Sequence, residues 1–139
     1  MKKKLKRILL IDDSAADNFI HSRRIRKAEV TEEIIVKNNG REALDYLNTV
    51  LEDETFPAPE LIFLDINMPV MNGWEFLEEY ENLLENKKAR IVLAMLTTSN
   101  SPKDRARAKK FSFLSDFMEK PLTKEVLMGI IEHHFAEYF

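Results

Sequence analysis

Leu61-Ile62-Phe63-Leu64-Asp65 is a short unbroken apolar run that ends in an acid. A half-exposed strand would alternate apolar and polar residues. Four consecutive apolar residues instead fit a strand covered on both faces, the habit of parallel sheets. Two more runs share the character: Arg7-Ile8-Leu9-Leu10-Ile11-Asp12 before it and Arg90-Ile91-Val92-Leu93-Ala94-Met95-Leu96 after it. These three are expected at the centre of the sheet. Glu33-Ile34-Ile35-Val36-Lys37 and Asp116-Phe117-Met118-Glu119 are bounded by charge, as strands nearer an edge tend to be.

Helical stripes separate the strands. Ala43, Leu44, Leu47 and Leu51 make one, Phe76, Leu77, Tyr80 and Leu84 a second, and Val126, Leu127, Ile130, Ile131, His134, Phe135 and Tyr138 a third. Residues 15–28 and 102–110 carry weaker patterns. Ser101-Pro102-Lys103-Asp104 announces the latter helix, with Ser as N-cap, Pro at the first helical position and Asp facing the free N–H groups. Asn72-Gly73 could turn a hairpin, but a helical stripe follows it, so the pair is read as a loop-to-helix junction with Trp74 packed nearby. Strict alternation of strand and helix predicts an α/β fold: a doubly wound parallel sheet with right-handed crossovers and helices on both faces. Ligands bind such sheets at the carboxyl ends of the strands.

The 139 residues, 45% of them hydrophobic, fit a single domain with a sizeable core. No repeat, low-complexity tract or Gly/Ser/Pro-rich linker divides them, so one domain over 1–139 is expected, with no output domain. The absence of cysteine excludes a disulfide scaffold and a thiolate metal site. A formal net charge of -3 argues against a general nucleic-acid binder, and the basic segment Lys103 to Lys110, with Arg105, Arg107 and Lys109, is read as a solvated helix face. The apolar run Ile8 to Ile11 is too short for a signal-peptide core, and no transmembrane stretch follows. A cytoplasmic protein without membrane insertion is expected.

Two of the apolar strands end in acid, in Asp12-Asp13 and in Asp65. If both are central and parallel, three carboxylates gather at one rim. Carboxylates that close either shift their pKa values or bind a cation, and a hard divalent ion such as Mg²⁺ suits one or two carboxylates with a backbone carbonyl and a phosphate. Thr97-Thr98-Ser99 after the fourth strand and Lys120-Pro121 after the fifth offer hydroxyl, N–H and ammonium donors to phosphate oxygens. A carboxylate nucleophile forming an aspartyl-phosphate is chemically coherent there. Singly, Asp12 or Asp13 would be an N-cap and Lys-Pro a strand end and turn, but capping does not demand placement at the ends of four strands at once. His21, His133 and His134 have neither metal-site spacing nor a nucleophile to activate, and are read as surface or partly buried. No Gly-rich nucleotide loop is present.

Asp12-Asp13, the segment Phe63-Leu64-Asp65-Ile66-Asn67-Met68-Pro69-Val70-Met71-Asn72-Gly73, Leu96-Thr97 and Lys120-Pro121 together resemble the signature of bacterial response-regulator receiver domains (CheY-like), over essentially the whole chain. The resemblance implies a flavodoxin-like sheet of five strands in the order 2-1-3-4-5 with five helices. It implies Asp65 as phosphoacceptor, Asp13 and Asp65 as direct Mg²⁺ ligands with the Asn67 main-chain carbonyl, and Asp12 as a ligand or a holder of metal-bound water. Thr97 and Lys120 would bind phosphoryl oxygens, and Phe117 would change rotamer when Thr97 is drawn toward phosphate. Asn67 and Ser99 hold the positions that tune phosphoryl lifetime in the family, and a cis Lys120-Pro121 bond is implied. There are departures: Phe111-Ser112-Phe113-Leu114-Ser115 stands where receivers often carry a glycine-alanine pair, and Phe117 lacks the hydroxyl of the tyrosine common there.

The function implied is that of a stand-alone response regulator in a two-component phosphorelay, not an enzyme beyond its own phosphoryl transfer and dephosphorylation. A sensor histidine kinase or phosphotransfer protein would donate. Output would be contact with a downstream protein through the 102–110 helix, the last strand and the last helix, and a homodimer would form through the same 102–138 face. Thr97-Thr98-Ser99 and Pro57-Ala58-Pro59 are similar to small receivers that pair with phytochrome-type sensor kinases. Two rivals remain. A haloacid-dehalogenase-type phosphatase expects a second Asp two residues after the nucleophile, where Asn67 stands. A phosphorylation-independent receiver-like module would not need the five site residues Asp12, Asp13, Asp65, Thr97 and Lys120 intact.

Overall fold

Residues 1–49, 59–83, 91–98 and 101–139 are described by the computed structural model; the expectations for Leu51, Pro57, Ala58, Leu84, Arg90 and Ser99 lie outside them. The apolar runs become β1 (Leu5–Ile11), β2 (Thr31–Lys37), β3 (Leu61–Leu64), β4 (Val92–Thr97) and β5 (Leu114–Glu119). They form one parallel sheet in the order β2-β1-β3-β4-β5. Among the described residues the helices are α1 (Ala15–Ala28), α2 (Gly40–Leu47), α3 (Gly73–Glu81), α4 (Pro102–Ala108) and α5 (Lys124–His134), followed by a 3₁₀ turn at Ala136–Tyr138.

Alternate residues of one strand point to opposite faces, and both faces here are covered. Leu9, Ile11, Ile62, Leu64, Leu93 and Met95 join Leu44, Leu47, Phe76 and Leu77 on the α2/α3 side. Ile8, Leu10, Leu61, Phe63, Ala94 and Leu96 join Ile25, Leu127, Ile130 and Ile131 on the α1/α5 side. That double cover explains why Ile8–Ile11, Leu61–Leu64 and Val92–Leu96 contain no polar residue. Register then sets the site. Ile11 pairs with Leu64 and Leu64 with Met95, so the residues after β1 and β3, Asp12 and Asp65, emerge side by side.

Capping fixes where the helices begin. The side chains of Ser14, Asn39, Asn72, Ser101 and Thr123 each accept from the backbone N–H three residues on, filling one of the orphan donors at a helix start. Asn72-Gly73 is the expected junction. Trp74 is buried beside it and stacks on Phe111 at 6.2 Å between ring centres.

Three expectations need correction. Val126 is not part of the buried stripe of α5: it is exposed, in the first turn, where its N–H is taken by the Thr123 hydroxyl. His21 is buried, because the inner face of α1 is made of Asn18, His21, Ser22 and Ile25, with the His21 ring Nε2 accepting from Leu122 N at 3.3 Å. A polar buried face hides from an apolar count. The helix expected over 102–110 ends at Ala108. Its face is solvated as expected, yet Arg105 and Arg107 also lie over the rings of Phe117 and Trp74, at 5.3 and 4.8 Å. The Phe111–Ser115 departure has a structural role: Phe111 and Phe113 pack against each other, and Phe113 packs on Tyr80.

Candidate functional site

Main-chain bonds first bring the acids to one rim. Asp12 N donates to Lys37 O at 3.0 Å and Asp65 N to Ile11 O at 3.0 Å, so each acid is the last residue tied to its neighbouring strand. Asp12 and Asp65 are buried while Asp13 is exposed. Carboxylate oxygens of Asp12, Asp13 and Asp65 lie within 4.8 Å of one another. The three predicted acids are therefore one cluster with two sheltered members and one open to solvent.

The loop after Asp65 is shaped by close approach. A side chain at Gly73 would meet the Asp65 carbonyl oxygen and stand 2.9 Å from Ile66 Cα, so only glycine lets α3 start this near the cluster. Gly73 N donates to Ile66 O at 2.8 Å, Met71 N to Pro69 O at 2.7 Å, and Gly40 N to Met71 O at 2.9 Å. Val70 between them has φ 66, a conformation that β-branched residues rarely adopt. Asn67 is exposed, two residues beyond Asp65.

Lys120 arrives from the far side of the sheet. Its N–H donates to Thr97 O at 2.9 Å, and the Lys120-Pro121 bond is cis, as expected. The ammonium lies 2.6 Å from Asp12 Oδ2, 2.8 Å from Asp17 Oδ2 and 3.6 Å from Asp65 Oδ2. Thr97 is fully buried, and its hydroxyl is a hydrogen-bond partner of Asp65. Phe117 stands one strand away, half-buried, under the Arg105 guanidinium.

Electrostatics mark Asp65 as the unsettled member. Burial, reinforced by the charge of Asp12, pushes its carboxyl up to about 6, against the pull of Lys120, the Ile66 N–H and Thr97. Asp12 is better satisfied: Oδ1 accepts from Ser14 N at 3.0 Å, Oδ2 from Lys120, and its carbonyl takes Asn18 Nδ2 at 2.8 Å. Burial pulls the Lys120 ammonium down, but hydrogen bonds to Asp12 and Asp17 and the charge of Asp65 leave it above its ordinary value. The donor set fits a hard divalent cation: three converging carboxylates, one of them destabilised by its neighbour's charge, which a cation would relieve.

Asp17 was not among the predicted site residues, although its hydrogen bond to Lys120 holds its own carboxyl below the usual range. The signal available was its place in the first turn of a helix that starts at the acidic rim.

The response regulator receiver domain family matches this chain over residues 8–132. Response regulator Rcp1 of Synechocystis sp. is 35% identical over 97 residues, 70% of this chain and 65% of that protein. A crystal structure of the Mn²⁺-bound form of a response regulator Rcp1 is 30% identical, with TM-score 0.74 and 95% of each chain covered. A two-component response regulator from Cytophaga hutchinsonii is similar at 30% identity and TM-score 0.85, over 96% of this chain and 99% of that one. The phosphorylated cyanobacterial phytochrome response regulator RcpA is 28% identical at TM-score 0.74, over 96% of both chains. The chain spans less than two thirds of the length of the first curated relatives it matches, 65% and 30%.

Proposed function

The chain belongs to the response regulator receiver domain family, and from that premise we propose that it accepts a phosphoryl group on Asp65 from a sensor histidine kinase or phosphotransfer protein and signals by protein–protein contact. The observation that carries the proposal is the convergence of Asp12, Asp13, Asp65, Thr97 and Lys120, drawn from four strand ends, around one buried carboxylate.

In the transfer an ionised Asp65 oxygen attacks phosphorus, the P–N bond to the donor imidazole breaks, and its electron pair stays on that nitrogen. Near neutral pH a carboxyl at about 6 is mostly ionised and available. Lys120 and Thr97 are proposed to hold the oxygens of the transferred group, aimed there before transfer begins. Asp13 and Asp65 with the Asn67 main-chain carbonyl would hold Mg²⁺, with Asp12 as ligand or holder of its water, and the ion would supply charge neutralisation. Asn67 and Ser99 are proposed to tune the lifetime of the phosphoryl group.

Thr97 is proposed to pass the change on by moving toward phosphate, with Phe117 following. The Arg105 guanidinium over the Phe117 ring supports that route, since a rotamer change there would alter an exposed basic surface. Output, and any homodimer, are assigned to the α4-β5-α5 face. A cytoplasmic partner kinase completes the proposal, and no described helix is long and apolar enough to cross a membrane.

The test is intact mass after incubation with acetyl phosphate, in Mg²⁺ or in EDTA, for the natural chain and Asp65→Asn. One phosphoryl adduct that requires both Mg²⁺ and Asp65 is expected. No adduct under any condition would overturn the proposal in favour of a phosphorylation-independent interaction module.

A further inference from the structure

We propose that Asp17 is a positioning residue: it shares Lys120 with the phosphoryl site and holds the ammonium toward α1 until phosphoryl oxygens on Asp65 draw it across. The proposal rests on the function proposed above and deepens it.

Local geometry explains why the Asp17 carboxylate is free for this role. An acid at the third position of a helix ordinarily reaches back to the N-cap N–H, completing a capping box. Here the N-cap is Ser14, whose hydroxyl accepts from Asp17 N at 3.2 Å. The Ser14 N–H, however, donates to Asp12 Oδ1 at 3.0 Å. With that donor occupied, Asp17 turns its carboxylate to Lys120 at 2.8 Å, across 103 residues of sequence.

Lys120 is thereby held on the α1 side of the cluster. It touches Asp12 and Asp17 while Asp65 stands at 3.6 Å, outside hydrogen-bond range. Its side chain is 9% exposed, against 35% for Asp17, so Asp17 is the more solvent-exposed member of the pair. A phosphoryl group on Asp65 would then compete with Asp17 for one ammonium. Before transfer, Asp17 keeps that ammonium from closing on the Asp65 carboxylate, where it would oppose a divalent cation.

Two measurements on the full chain test this. In metal-free protein, the ¹⁵N resonance of the Lys120 ammonium is expected to shift in Asp17→Asn with the fold intact by amide spectra; an unchanged resonance would overturn the inference. Mg²⁺ titration by calorimetry then uses a double-mutant cycle. In the natural background Asp17→Asn is expected to weaken Mg²⁺ binding about threefold, the scale of a partly exposed ion pair. In a Lys120→Met background the same substitution should change little. Equal weakening in both backgrounds would mean a plain field effect of one lost carboxylate and would sink the proposal. Natural protein that binds no Mg²⁺ would instead strike at the proposed function, leaving the ammonium resonance to judge Asp17 by itself.

Discussion

The first turns of α1 and α3 begin with nearly the same local pattern and end in different places. At α3, Asn72 accepts from Glu75 N at 2.9 Å and Glu75 returns the bond from Asn72 N at 3.0 Å, a closed capping box. At α1, Ser14 caps Asp17, but the return bond is missing because Asp12 has taken the Ser14 N–H. Structure gives way to chemistry at α1. Helices close their own ends unless something nearby has a stronger claim on the groups, and at α1 the claimant is the acidic cluster.

The largest effect available concerns how α3 is seated. Gly73 follows its cap, and a methyl group there would strike Asp65 backbone. Gly73→Ala is expected to destabilise the fold by about 3 kcal/mol or more, since neither the strand end nor the helix can yield freely. Urea unfolding would measure it, with a change under 1 kcal/mol showing that the α3 junction is softer than the α1 junction it is compared with.

Next comes the charge that α1 serves and α3 does not. The folded chain holds the Asp65 proton more tightly than the unfolded chain, with a pKa of about 6 against 3.8. Ionising Asp65 therefore costs the folded state stability as pH rises from about 4 to 6, and the full penalty remains above that. The displacement corresponds to a ceiling of about 3 kcal/mol. Asp65→Asn in EDTA should thus be more stable than the natural chain by about 2 kcal/mol at pH 8, with the gain vanishing near pH 4. A pH-independent gain in thermal melts would trace the effect to packing, and Mg²⁺ should shrink it at pH 8.

Much of this arrangement was legible in the sequence, for a physical reason. A strand buried on both faces writes itself as an unbroken apolar run, and the acids that follow β1 and β3 stand out against it, as do Thr97 at the end of β4 and Lys120 after β5. Gly73 announced its junction because a helical stripe follows it. Asp17 was not legible, since an acid in a first turn is ordinary and only the fold reveals that its partner lies beyond β5. His21 was misread because the buried face of α1 is built from polar side chains, with His21 accepting from Leu122 N, and Val126 because first-turn residues of α5 still face solvent. Val70 carried no signal of its positive φ, which the bonds around Met71 impose from outside the residue.

The smallest effect separates α1 from α3 most directly, because Glu75 and Asp17 occupy the same helical position. Glu75→Ala removes the return half of a solvent-exposed box at α3. It should cost about 0.3–1 kcal/mol, the worth of an acid at a helix N-terminus, and leave Mg²⁺ affinity unchanged, since Glu75 is not one of the clustered carboxylates. Asp17 lacks the return bond from its N-cap N–H but shares the benefit of an acid at a helix start and is paired with Lys120, so its substitution should cost a comparable amount of stability and should also register at Lys120 and the metal. Measured side by side by thermal melting and Mg²⁺ calorimetry, both variants should lower the melting temperature modestly, and only Asp17→Asn should weaken Mg²⁺ binding. If Glu75→Ala also weakened Mg²⁺ binding, the α3 turn would belong to the site as much as α1 does, and the distinction between a structural and a positioning acid would collapse.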